Sequence, residues 1–270
     1  MNKRYGTFIL SYARAKRQRF NWPYPVRIVV ATDDPQLDLY RELYGELVIT
    51  FDRNSVMCDY YDNMPPSGVL AARNIAWDLA ESLGWTHFLV LDDDYFNFAR
   101  RLWRNSSTKW VVHGPFAGFV PINEAFDVVR LCNAMWHWLD ICPQLLCVSF
   151  TQTGDMCHYL KRKVMQTFFL RTDRRFEFIS RMNDDVTTYF DLGLRGGIVL
   201  QIPIFGISQQ PTQSQSGGLT DLYRQYGTYT KSLYTLLRWP AHAIVARIPS
   251  VGRIHHRILP NVYPKIVKIL

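Results

Sequence analysis

Three consecutive carboxylates, Asp92, Asp93 and Asp94, follow directly on the apolar run His87–Leu91. Adjacent like charges oppose one another's ionisation, and a divalent cation or a set of hydrogen-bond donors relieves them. In extended backbone the side chains alternate, which sends Asp92 and Asp94 to one side and Asp93 to the other. Two carboxylates on one side, completed by phosphate oxygens and water, suit Mg²⁺ or Mn²⁺; a solvated acidic turn is the alternative. A second acidic pair, Asp184-Asp185, opens a helical pattern after Asn183. Asn183 can cap that helix while the two acids complement its dipole. Alternatively, one carboxylate takes the proton from an alcohol, which is a poor nucleophile until a base within hydrogen-bond reach deprotonates it.

A third group lies in the tail, where Tyr223, Tyr226, Tyr229, Tyr234 and Trp239 interleave with Arg224, Lys231 and Arg238. Aromatic rings beside cations stack unpaired bases and neutralise phosphates. The same spacing also fits an aromatic helix packed on a sheet, since Tyr226, Tyr229 and Leu233 fall at helical intervals. His255-His256 and the set His137, Cys142 and His158 lack metal-ligand spacing and read as surface and core residues. The five cysteines, Cys58, Cys132, Cys142, Cys147 and Cys157, contain no CxxC and read as reduced thiols.

The elements that must hold these groups alternate between strand and helix. Apolar runs at Thr7–Ser11, Val26–Thr32 and Leu47–Phe51 predict strands. Leu70, Ala72, Ala76, Leu79, Ala80 and Leu83 recur at helical spacing, and Gly84 stops that helix. His87–Leu91 is nearly all apolar, as expected of a strand covered on both faces. Val148–Thr151, Val164–Leu170 and Ile198–Ile204 predict further strands, and Asp184–Leu192 a short helix. Residues 222–270 are expected to be partly helical, broken by Pro240, Pro249, Pro260 and Pro264. Alternating strands and helices predict an open α/β sheet with ligands beyond the carboxyl ends of its strands, where Ser11, Asp33 and Asp92–Asp94 fall.

The 270-residue chain is long enough to bury about three quarters of its surface, and 48% hydrophobic residues supply a core without staples. Residues 1–32 and 222–270 hold seven and eight Lys/Arg with no acid, so the net charge of +8 conceals an acidic centre between two cationic arms. That polarity suits a polyanion outside and a cation inside. No stretch reads as a membrane span or a signal-peptide core, which predicts a cytoplasmic protein. A membrane-surface role for residues 231–270, with Lys and Arg among aliphatics, stays open.

Arg73-Asn74-Ile75-Ala76, Gly84 and Phe88–Asp94 resemble the DxD segment of GT-A glycosyltransferases. Arg181-Met182-Asn183-Asp184-Asp185-Val186-Thr187, with Gly193 and Gly196-Gly197, is similar to their second acidic motif. Ser216-Gly217-Gly218-Leu219-Thr220, Tyr223 and Tyr226–Tyr234 resemble the C-terminal signature of the TET-associated glycosyltransferase family. The resemblance covers roughly residues 5 to 240. It implies a GT-A-like open mixed sheet, with a Rossmann-like nucleotide-binding half and helices on both faces. Residues 1–240 would form one domain and 241–270 a basic extension packed on or near it.

The resemblance further implies a nucleotide-sugar donor, a UDP-sugar first, near Ser11, Tyr12, Arg14, Asp33, Arg73, Asp92 and Asp93. A divalent cation, Mn²⁺ or Mg²⁺, would sit on Asp92 and Asp94, with Asp184 or Asp185 as base. The acceptor it implies is DNA carrying a 5-hydroxymethylpyrimidine, as in bacteriophage genomes, met by Tyr223, Arg224, Tyr229 and Lys231. Ser216, Gly217 and Gly218 would form a flexible loop beside the site. A protein or glycan acceptor, or a silent nucleic-acid-binding module, are the other readings.

Overall fold

Strand β4 (His87–Asp92) is buried along nearly its whole length because helices cover both its faces. Phe88 and Val90 join a core built on Leu70, Ala76 and Trp77, whereas Leu89 and Leu91 join one built on Leu131, Met135 and Trp136. This is the two-residue alternation of a strand between two layers. The computed structural model describes residues 3–17, 24–56, 68–103, 110–111, 119–121, 125–152, 160–210, 218–227, 229–247 and 254–259.

In chain order, β1 (Tyr5–Leu10), β2 (Val26–Ala31), α1 (Leu37–Tyr44), β3 (Val48–Phe51) and α2 (Gly68–Ser82) precede β4. Then come β5 (Tyr95–Trp103), β6 (Trp110–Val111), β7 (Phe119–Pro121), α3 (Ala125–Ile141), β8 (Leu145–Gln152) and β9 (Thr167–Arg171). The chain continues through α4 (Asp184–Leu194), β10 (Ile198–Gln209), α5 (Thr220–Tyr226), α6 (Thr230–Arg238), β11 (Ala243–Arg247) and β12 (Ile254–Ile258).

The main sheet runs β3-β2-β1-β4-β9-β8-β10-β5-β6, with β7 beside β5. Its first four strands are parallel, with Leu10 opposite both Val29 and Asp92. The remainder is mixed: β9 is antiparallel to β4, β10 is parallel to β8, and β5 is antiparallel to β10. The expected open mixed sheet with a parallel, Rossmann-like first half is therefore present. So are helices on both faces, α2 on one and α3 on the other. The sequence reading passed over α3, although Val128, Leu131, Cys132, Met135, Trp136 and Leu139 carry a clear helical stripe and are all buried.

The tail is helical in part as expected, with α6 ending at Arg238 ahead of Pro240, but the expectation did not include strands. After α5 and α6 the chain forms an antiparallel hairpin, with Ala243 opposite Ile258 and Arg247 opposite Ile254. Pro240 and Pro249 leave too short a span for a stable helix, and Ile244, Val245, Ile254 and Ile258 favour a pleated surface. No helix among the described residues is long and apolar enough to cross a membrane.

Candidate active site

A cleft of 1110 Å³ opens beyond the carboxyl ends of β1 and β4. It gathers Ser11, Tyr12, Arg14, Arg73, Asp92, Asp93, Asp94, Asp184, Asp185, Gly218, Tyr223 and Lys231, so groups from four distant stretches of sequence share one space.

The loop after β1 is built around Asp93 and Asp34. Asp93 is buried; it accepts from Ser11 Oγ at 2.5 Å and pairs with Arg14 at 2.6 Å. Tyr40 hydroxyl bonds Ser11 Oγ and accepts from the Arg14 amide at 2.9 Å, while Asp34 accepts from the amides of Ala13 (2.8 Å) and Gln36 (2.7 Å). These bonds hold Ala13 at a left-handed φ of 54°. Gly218 closes the loop from the other side, its amide donating to Tyr12 carbonyl at 3.1 Å. With φ of 58°, and a Cβ that would come within 2.9 Å of the Arg14 guanidinium, that position admits little but glycine. Ser216 and Gly217 lie outside the described residues.

Arg73 joins the two acidic motifs. Buried in α2 beneath the Phe168 and Phe178 rings, it donates to Asp92 Oδ1 at 2.9 Å and pairs with Asp184. Burial opposes its charge, but Asp184 and Asp92 raise its affinity for the proton above the usual arginine range. The guanidinium is thus engaged by protein carboxylates on two of its nitrogens, and it positions the two acids.

The chain turns at Asp93–Asp94 before entering β5, so strict alternation ends at Asp92. Asp92 faces Arg73, Asp93 faces Ser11 and Arg14, and Asp94 Oδ1 accepts from Gln209 Nε2 at 2.9 Å. Burial, then Asp92 and Asp93, push the Asp94 carboxyl up to about 7. Burial and then Asp184 push Asp185 up to about 6, against a hydrogen bond from the Val186 amide. Asp184 is also raised by burial, with Arg73 working the other way.

Asp92 and Asp94 both line the cleft, and each has one carboxylate oxygen engaged, by Arg73 and by Gln209 respectively. Two carboxylates that supply hard oxygen donors, set among further acids that Arg14 and Arg73 match only in part, fit a magnesium- or manganese-type cation. Among the described residues, no group of three His, Cys, Asp or Glu side chains is arranged to hold a metal.

Several expectations need revision. Asp33 does not itself line the cleft but pairs with Arg53, which does, and its neighbour Asp34 holds the loop. Arg224 is exposed and pairs with Asp221 at 3.4 Å, while Tyr229 is exposed and does not line the cleft. Trp239 packs edge-on to Phe190, in the core. Asn183 stands before α4 but makes no side-chain cap. His255 and His256, read as surface and core, both line the cleft, as do Lys163, Arg181 and Gln209. The histidines carry no spacing signal because β12 brings them in from a separate hairpin. His158, Cys58 and Cys157 lie outside the described residues.

An open α/β sheet with a carboxylate-lined cleft at its parallel strand ends places the protein in the class that takes ligands at that edge. The chain belongs to the TET-associated glycosyltransferase family, whose model matches residues 5–218. Among solved structures it is similar to TarS of S. aureus, with 12% identity over 86% of this chain and 40% of that one (TM-score 0.42). It is also similar to GalNAc-T7 with UDP, GalNAc and Mn²⁺, with 12% identity over 85% of this chain and 50% of that one (TM-score 0.41). The chain spans half the length of those two structures or less. No curated protein matches its sequence.

Proposed function

We propose that this chain moves a sugar from a nucleotide-sugar donor, a UDP-sugar first, to the hydroxyl of a 5-hydroxymethylpyrimidine in DNA, in the cytoplasm of a phage-infected cell. The observation that carries the reading is the bridge through Arg73, which sets Asp92 beside Asp184-Asp185 in one cleft that Tyr223 and Lys231 also line. The family match and the two cationic arms support it.

In this reading Asp185 is the base. Asp184 is committed to Arg73, whereas Asp185 accepts from its neighbouring Val186 amide and, with its carboxyl pushed up to about 6, holds a proton affinity suited to proton transfer at neutral pH. It takes the proton from the acceptor hydroxyl as that oxygen attacks the anomeric carbon, and the nucleotide diphosphate leaves. Asp92 and Asp94 would hold Mn²⁺ or Mg²⁺, which when bound offsets charge on the departing diphosphate. Ser11, Tyr12 and Arg14 shape the donor side, with Arg14 held in place by Asp93. Lys231 Nζ lies 5.4 Å from the centre of the Tyr223 ring, a surface fit for an extruded base and its phosphate.

The test is incubation with DNA containing 5-hydroxymethylcytosine or 5-hydroxymethyluracil, a panel of nucleotide sugars and Mn²⁺, followed by nucleoside mass measurement. A hexose- or pentose-sized mass gain on the modified base is expected. DNA affinity should also fall with salt at a log-log slope of about −0.9 per phosphate contact. A salt-insensitive affinity without mass gain points to a protein or glycan acceptor. Salt-sensitive binding without any turnover points to a silent binding module.

A further inference from the structure

The first turn of α4 carries both acids, yet its own leading residue does not cap it. Asn183 sits at a left-handed φ of 60°, and its Nδ2 donates to Thr235 Oγ1 at 2.9 Å, in α6. The same amide stands 3.4 Å from Nδ1 of His256, in β12. One turn further on, Thr187 Oγ1 and Thr235 Oγ1 share a hydrogen bond of 2.9 Å. Thr235 is fully buried, and its hydroxyl, with one proton and two lone pairs, can satisfy both neighbours at once.

Helix α6 is oriented in an unusual way for an amphipathic helix. It buries Ser232 and Thr235 and leaves Leu233 and Leu237 exposed at 43% and 57%. Burial of those leucines therefore does not hold α6 against α4; the inward contact carries hydroxyl and amide bonds, with the Trp239 ring just past the helix end set against Phe190. Buried polar contacts are directional, and they fix one arrangement where apolar contacts tolerate several. His256 is kept neutral, its ring pushed down to about 3 by burial and then by His255 and Lys231, so Nδ1 can accept from Asn183 with the ring proton on Nε2.

We propose that Thr235 and His256 are positioning residues that hold Asn183 and Thr187, and through them set the direction in which Asp185 faces the acceptor. Both lie beyond residues 5–218, the part matched by the family. The tail is thus more than a basic extension, because it completes the frame of the acids. The inference rests on the reading of Asp185 as base, but the fixing of the α4 turn can be measured without it.

Thr235→Val keeps the shape and removes the hydroxyl, whereas Thr235→Ser keeps the hydroxyl. In the full chain, with a UDP-sugar, Mn²⁺ and 5-hydroxymethylcytosine DNA, Thr235→Val is expected to lower kcat about 10- to 100-fold, the cost of a misdirected group. KM for donor and DNA should hold, and Thr235→Ser should restore kcat. His256→Phe should lower kcat in the same direction by less. Amide exchange should accelerate over Asp184–Thr187 in Thr235→Val while α3 keeps its protection. An unchanged kcat in Thr235→Val overturns the proposal. So does a fall in kcat accompanied by faster exchange throughout α3, which marks general destabilisation. If the wild type transfers no sugar to this DNA, the functional reading fails, and exchange decides alone: unaltered exchange over 184–187 then overturns the positioning role.

Discussion

Strand β4 starts at His87 and ends at Asp92, and the protein treats carboxylates in opposite ways at those two ends. Beside the amino end, Asp140 on α3 accepts from Lys3 at 2.6 Å and from His87 at 2.9 Å, and also pairs with Arg171. Burial works against its ionisation, but the hydrogen bonds from Lys3 and His87 win and hold it down at about 2. At the carboxyl end the balance reverses. Asp94 and Asp185 rise to about 7 and about 6, because burial and neighbouring acids outweigh what Arg14 and Arg73 supply. The amino end is a closed network in which charge is matched and stability results. The carboxyl end keeps negative charge partly unmatched, which is a cost to folding and a capacity to bind a cation and to take a proton.

The strongest way to break this contrast is Asp185→Asn. Single-turnover transfer should fall about 10²- to 10⁴-fold while nucleotide-sugar and DNA binding persist. Turnover near wild type would return Asp185 to a purely structural role. Asp92→Asn and Asp94→Asn should abolish Mn²⁺-supported donor binding in calorimetry, and retained binding in either would remove that residue from the metal site.

Asp94→Asn sharpens the comparison in a second way, measured as melting temperature with a chelator present. The folded carboxyl titrates near 7 against 3.8 in the open chain, so the folded state binds this proton more tightly. Wild-type stability contributed here is therefore full below pH 4 and lost as pH rises through about 7. The Asn variant should gain on wild type at pH 8 and match it at pH 4.

Asp140→Asn should do the reverse. A folded value of about 2 against 3.8 means stability present above pH 4 and lost as pH falls through about 2. The variant is expected to lose about 2 kcal/mol at pH 7 in denaturant unfolding and to converge on wild type near pH 2, with kcat unchanged. A pH-independent loss would show that Asp140 acts through packing instead. The smallest effect belongs to Arg224→Ala. Its exposed pair with Asp221 should cost less than about 0.5 kcal/mol, and DNA affinity should fall less than in Lys231→Ala, whose side chain lines the cleft.

Much of this contrast was legible along the chain. The apolar run ahead of Asp92 dictated a strand buried on both faces, and its end placed three carboxylates at the ligand edge of a parallel sheet. The periodicity around Leu70–Leu83 and after Asn183 set α2 and α4, because strand and helix periods are local properties of the backbone. Partner choice was not local. Arg73 reaches Asp184 over 111 residues of chain, and only the strand order brings them together. Whether Asp33 or Asp34 turns inward depends on where Ala13 and Gln36 present their amides, and composition says nothing of that. Thr235, His255 and His256 carry no motif; α6 and the hairpin bring them against α4. The sequence by itself thus determined which segments become strands and helices and which end of the sheet is acidic. Tertiary structure alone decided which acid is neutralised, because neutralisation depends on distance and burial between residues far apart in the chain.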